Sequence, residues 1–196
     1  MRKFDTFATE MIPIRLIISI IVMAAIAMMI AVGYQNLSII LAENQVRNEC
    51  SALEAELYTM VGSGITRDVD DIGASDGTMR THTFTLPDSL IYLSFGVDPD
   101  TSNDGKLNTG LTEDGSVIFY RVSEGSKQVI WFQDNRIKFR EGLYNLTYNK
   151  WVINGKGQGL IITGGGKTTL TFELVEKNNV QYILILANDN IEPVGS

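Results

Sequence analysis

Leu16-Ile-Ile-Ser-Ile-Ile-Val-Met-Ala-Ala-Ile-Ala-Met-Met-Ile-Ala-Val32 decides how the rest of the chain is read. Ser19 alone interrupts the run, and a bilayer core needs at least about 17 apolar residues of helix. Ile12 and Ile14 extend the run backward, and Leu37, Ile40 and Leu41 carry it forward. A cleaved secretory signal has a shorter apolar region and ends at a small-x-small site before a polar start. Here the apolar stretch passes into more helix-compatible sequence, so it reads as a retained anchor. Arg2, Lys3 and Arg15 precede the span, whereas Arg47 is the one basic residue soon after it. Positive flanks stay cytoplasmic, which places the C-terminal bulk outside the membrane.

Beyond Val32 the apolar positions become Tyr34, Leu37, Leu41, Val46, Cys50, Leu53, Leu57 and Met60 or Val61, mostly three or four apart. That is the repeat of one helix face. Glu43, Asn44, Arg47, Glu49, Glu54 and Glu56 fall between them and suit a wetted face. No proline stands between Pro13 and Pro87, and Gly62-Ser-Gly64 makes a natural stop. The spacing therefore predicts one helix over 13–61, roughly 70 Å long at 1.5 Å per residue. Gly33 is its weakest point, since glycine costs about 1 kcal/mol inside a helix. The organisation expected is a cytoplasmic segment or leader at 1–12, the helix, a polar acidic loop at 62–81, and an extracytoplasmic β-domain at 82–196.

In that last region the period becomes two. Strands are expected at 83–86, 89–97, 116–122, 128–132 and 136–140, with shorter ones near Tyr144, Trp151 and Leu160. Segments 168–175 and 180–187 read as a hairpin across Lys177-Asn178-Asn179. The first arm alternates Leu170, Phe172 and Leu174 with polar residues, which predicts one solvated face. The second, Tyr182-Ile-Leu-Ile-Leu186, is apolar throughout and suits an interior strand. The fold class is α+β: a long hydrophobic-then-amphipathic helix followed by an antiparallel, sandwich-like β-domain.

The 196 residues carry a net charge of −7, which excludes the basic face of a nucleic-acid binder. Cys50 is the only cysteine, so no disulfide forms within the chain. Asn36 and Asn145 begin Asn-x-Ser/Thr triplets and are candidate glycosylation sites. Asp98-Pro-Asp100-Thr-Ser102-Asn-Asp104-Gly105-Lys-Leu-Asn108 spaces oxygen ligands as an EF-hand-type calcium loop does, with glycine at the sharp turn. Asp100, Ser102, Asp104 and Asn108 are the candidate ligands of a structural calcium. Leu111 stands where a closing bidentate acid belongs, so the competing reading is a solvated acidic turn.

Gly164-Gly-Gly-Lys167-Thr168 lacks the earlier glycine of a phosphate loop, which falls at Ile161, and reads as a glycine-rich hairpin turn. His82 is the only histidine, which leaves zinc or Ser-His-Asp chemistry without partners and suggests a surface or strand-edge position. Cys50 reads as a small packed hydrophobe. Trp131, Tyr120 and Tyr144 are candidates for a sugar platform, although aromatic residues in strands are usually core or cross-strand pairs. No carboxylate pair stands out among 23 acids, so no catalytic residue is expected.

The plan of a long apolar-then-amphipathic helix and an all-β head resembles the archaeal type IV pilin-like superfamily, its pilins and archaellins, over essentially the whole chain. Met1-Arg-Lys3 corresponds to the basic start of such a leader. Ala8 is the small residue nearest a cleavage point, where glycine is usual, and Glu10 is an acid near the place of the one in the mature helix. The resemblance implies a surface filament subunit that self-associates through its helix, at Leu16, Ile20, Met23, Ile26, Ile30, Tyr34, Leu37 and Leu41. A heterologous contact that does not close generates such a helical polymer. The competing reading is a single-pass anchored binding module that does not polymerise.

Overall fold

The computed structural model describes residues 7–104, 106–107, 110–111, 115–134, 136–154 and 159–186. Helix α1 spans Phe7–Ser63 and β-strands follow it, the α+β class expected. The helix begins earlier than Pro13 and passes Gly33 without interruption. It stops where Gly64 N–H donates to the Met60 carbonyl at 2.8 Å, and a Cβ on Gly64 would overlap that same carbonyl. The chain divides into two compact units, Met1–Leu41 and Ala42–Ser196. The amphipathic part of α1 therefore belongs with the strands.

Within the second unit, Ala42, Val46, Cys50, Leu53, Leu57 and Met60 are all buried, in steps of three and four. They form the stripe that helical periodicity requires for packing on a sheet. Strands β1 (Arg67–Asp68), β2 (Met79–Leu86), β8 (Phe139–Asn145), β9 (Lys150–Ile153), β11 (Gly166–Lys177) and β12 (Val180–Leu186) make a six-stranded sheet. Its order is β1-β11-β12-β8-β9, with β2 also on β11. Strands β3 (Leu90–Phe95), β6 (Val117–Val122), β7 (Gln128–Trp131) and β10 (Leu160–Thr163) make a second sheet in the order β10-β3-β6-β7. Short β4 (Val97–Asp98) and β5 (Gly110–Leu111) pair with each other.

Phenylalanines join the two sheets. Phe95 of β3 lies 5.8 Å from Phe84 of β2, 5.5 Å from Phe139 of β8 and 6.1 Å from Phe172 of β11, ring centre to ring centre. Tilted and edge contacts of this kind add to the burial of the rings themselves.

Several expectations need correction. The first sheet is mixed, because β1 runs parallel to β11 and β12 runs parallel to β8. The segment 62–81 expected as a loop is not wholly loop, since it contains the end of α1, β1 and the start of β2. Segment 136–140 begins as a turn, in which Arg136 and Ile137 donate N–H bonds to Asp134, and the strand starts only at Phe139. Gly164–Gly166 does not close a hairpin, because β10 and β11 lie in different sheets. The 178–179 turn does close one: Lys177 pairs with Val180, and Asn178 and Asn179 have φ of 51° and 62°. Strand β12 is interior, between β11 and β8.

Candidate functional site

The first unit carries the residues expected to assemble. Leu16, Ile20, Met23, Ile26, Ile30, Tyr34, Leu37 and Leu41 are between 49% and 73% exposed, and Ile17, Ile18, Ile21, Met28 and Met29 on other faces of the helix are exposed as well. Residues from Ile14 on belong to a helix long and apolar enough to cross a membrane. A helix apolar all round has no wetted face, and its stable environments are lipid or other apolar helices.

The acidic loop after β3 is organised by its own turns and by two cations. Asp100 is fully buried; its carboxylate accepts the Asp104 N–H at 2.9 Å and an Arg121 guanidinium N–H at 2.9 Å. Lys127 donates to Asp98 Oδ2 at 2.9 Å and to the Asp100 carbonyl at 2.7 Å. Asp104 turns outward and accepts the Lys106 N–H, while Ser102 is exposed. Asn108 lies outside the described residues. Among the described residues no three His, Cys, Asp or Glu side chains are grouped to hold a metal ion. The first candidate ligand is thus already engaged with arginine.

A second charged centre went unread in the sequence. Arg67 and Glu173, each 1% exposed at the side chain, form a two-pronged pair with N–O distances of 2.6 and 2.7 Å. Arg67 also donates to the Trp151 carbonyl at 2.9 Å, and Gly77 N–H donates to Glu173 at 3.0 Å. Val69, Val175, Leu184 and Leu186 cluster nearby, with Trp151, Ile153 and Tyr182 packed against them. This covers, at Glu173 and Val175, part of the face of β11 that strand alternation predicts to be solvated, while Thr169 on the same face stays exposed.

His82 does lie on an edge strand, yet it is buried rather than at the surface. Its Nδ1 is 3.2 Å from Glu56 and its Nε2 is 3.5 Å from Glu49, both on α1, and its ring stands edge-on to Phe84 at 4.6 Å. Cys50 packs, fully buried, in the helix stripe. Asn36 falls within α1, and Asn145 ends β8 with its side-chain oxygen accepting the Thr147 N–H at 2.9 Å.

The three aromatic residues weighed as a sugar platform are not brought together. Tyr120 is buried at 1% exposure, Tyr144 packs on Trp151 at 5.3 Å, and Trp131 is 59% exposed at the end of β7. Trp131 instead shares an open cleft of about 800 Å³ with Glu54, Tyr58, Gln133 and Asp134. Sequence distance hid that grouping, since α1 and β7 are far apart along the chain. Comparison with protein-family models, with curated proteins and with solved structures finds no match for this chain.

Proposed function

We propose that this chain is a structural subunit of a cell-surface filament, type IV pilin-like in plan. Residues 14–41 of the helix assemble the core, and the β-rich unit remains exposed. The observation that carries this reading is the contrast within one helix. Its large apolar side chains from Ile14 to Leu41 are exposed almost without exception among the described ones, and its apolar stripe is buried from Ala42 onward. A bilayer core accounts for about 20 residues of helix. Leu37, Ile40 and Leu41 continue the exposed apolar surface past the dense run, and neighbouring copies of the same helix would cover it. Before assembly the same segment anchors the subunit in the membrane with its C-terminal unit outside, as the basic residues ahead of the span favour. No catalytic step belongs to this role.

Gentle shearing of native cells tests it. The expected outcome is enrichment of this chain in the released filaments relative to washed membranes. A chain that stays wholly with the membrane until detergent is added would instead be a single-pass anchored binding module.

A further inference from the structure

The cleft beside Trp131 is built from fixed walls and unengaged polar tips. Glu54 and Tyr58, one helical turn apart on α1, form one side. Trp131, Gln133 and Asp134, at the end of β7 and just beyond it, form the other. Tyr58 is held in place: its hydroxyl accepts the Gln133 N–H at 3.3 Å and its ring leans on Phe132 at 6.4 Å. Asp134 is held by Arg136 through N–O contacts of 2.7 to 3.2 Å, and hydrogen bonds from that arginine keep its carboxyl below the ordinary carboxylate range. Among the described residues the Glu54 carboxylate and the Gln133 carboxamide make no hydrogen bond or ion pair.

The volume of about 800 Å³ falls within the usual span of ligand sites, roughly 300–1,000 Å³. An exposed indole beside a tyrosine ring suits a flat C–H surface. The Glu54 carboxylate and the Gln133 carboxamide suit a rim of hydroxyl donors. An anion is disfavoured by Glu54 and Asp134. A cation finds one uncompensated carboxylate, because Asp134 is already neutralised by Arg136. A neutral pyranoside matches both the face and the rim. We infer that this cleft is a saccharide-binding site, with Trp131 as the stacking surface and Glu54 and Gln133 as partners of the sugar hydroxyls. The inference goes beyond the filament reading and stands whether or not the chain polymerises.

The test uses the full chain in a zwitterionic, sugar-free detergent. Neutral trisaccharides of glucose, galactose, mannose and N-acetylglucosamine are titrated in, with binding read by calorimetry. At least one trisaccharide should bind saturably, with Kd on the order of 1 mM or tighter. Trp131→Ala should abolish that binding and Glu54→Gln should weaken it about tenfold, while Trp151→Phe leaves it unchanged. Thermal melting of Trp131→Ala should match the parent, since the side chain is exposed and its loss removes little packing. The inference is overturned if none of the four saturates by about 50 mM, if binding survives Trp131→Ala, or if tetramethylammonium binds the cleft and the sugars do not.

Discussion

Arg67 and Glu173 are the residues on which substitution should tell most. A buried ion pair replaced whole by apolar groups is often neutral, but one broken by removing a single partner costs about 3–5 kcal/mol. Arg67→Met should therefore destabilise the chain by roughly that amount in urea denaturation, leaving Glu173 buried and uncompensated. Arg67→Met combined with Glu173→Leu should recover a large part of the loss.

Tyrosines give the residue-scale prediction for pH. Burial pushes the Tyr92 phenol above its ordinary value, with Asp100 and Asp98 adding to the shift. Burial also raises Tyr120, against the opposing effect of Arg47. In both cases the folded state holds the proton more tightly than the unfolded chain does. Their contribution to stability is complete below the ordinary phenol range near pH 10 and is lost as pH rises beyond it. An absorbance titration of the seven tyrosines should show these two ionising only with alkaline unfolding. Legibility at this scale was uneven. Cys50 was readable as core from its place in the helical repeat. Arg67 was not, because a lone arginine in a polar segment carries no local sign of a partner 106 residues away. The acid spacing around Asp100 was plain, whereas Arg121 and Lys127, which occupy it, come from other elements.

Among the elements, the 178–179 hairpin was the most legible, because an alternating arm, an apolar arm and two asparagines between them specify it locally. Both asparagines hold positive φ. Asn179→Gly removes the Cβ penalty there and should stabilise the domain by about 0.5–1 kcal/mol, seen as a raised melting temperature. The parallel pairings of β1 with β11 and of β12 with β8 had no such signal, since strand period reports burial rather than the direction of a neighbour. The delayed start of β8 at Phe139 has a local cause. Asp134 captures the N–H groups of Arg136 and Ile137 and bends the chain where Ile137 and Phe139 appear to alternate in a strand.

For the whole molecule, the division at Leu41 separates what folds against itself from what needs an outside environment. Ile30→Asp should separate the two experimentally. A carboxylate at mid-helix costs about 3 kcal/mol in lipid, and a comparable penalty applies in an apolar bundle. Filament and membrane recovery should both fall, while the melting temperature of the detergent-solubilised chain stays unchanged. The broad plan was legible because hydrophobic content changes abruptly along the chain. The Trp131 cleft was not, because its residues become neighbours only when α1 packs beside β7.

Strand β11 also sets a timetable. It bonds to β2 and β1 along one edge and to β12 along the other. Leu86 pairs with Gly166, so β2 must wait for sequence 80 residues further on before it has a strand partner. As the polypeptide is made from its N-terminal end, β2 is present as an open edge long before β11 arrives. Open edges of that kind recruit other chains. Non-local pairing of this sort is also slow to form. The chain therefore reaches its native state only once its last strands are made, and a crowded setting in that interval favours an escort that shields Met79–Leu86 until the later strand arrives.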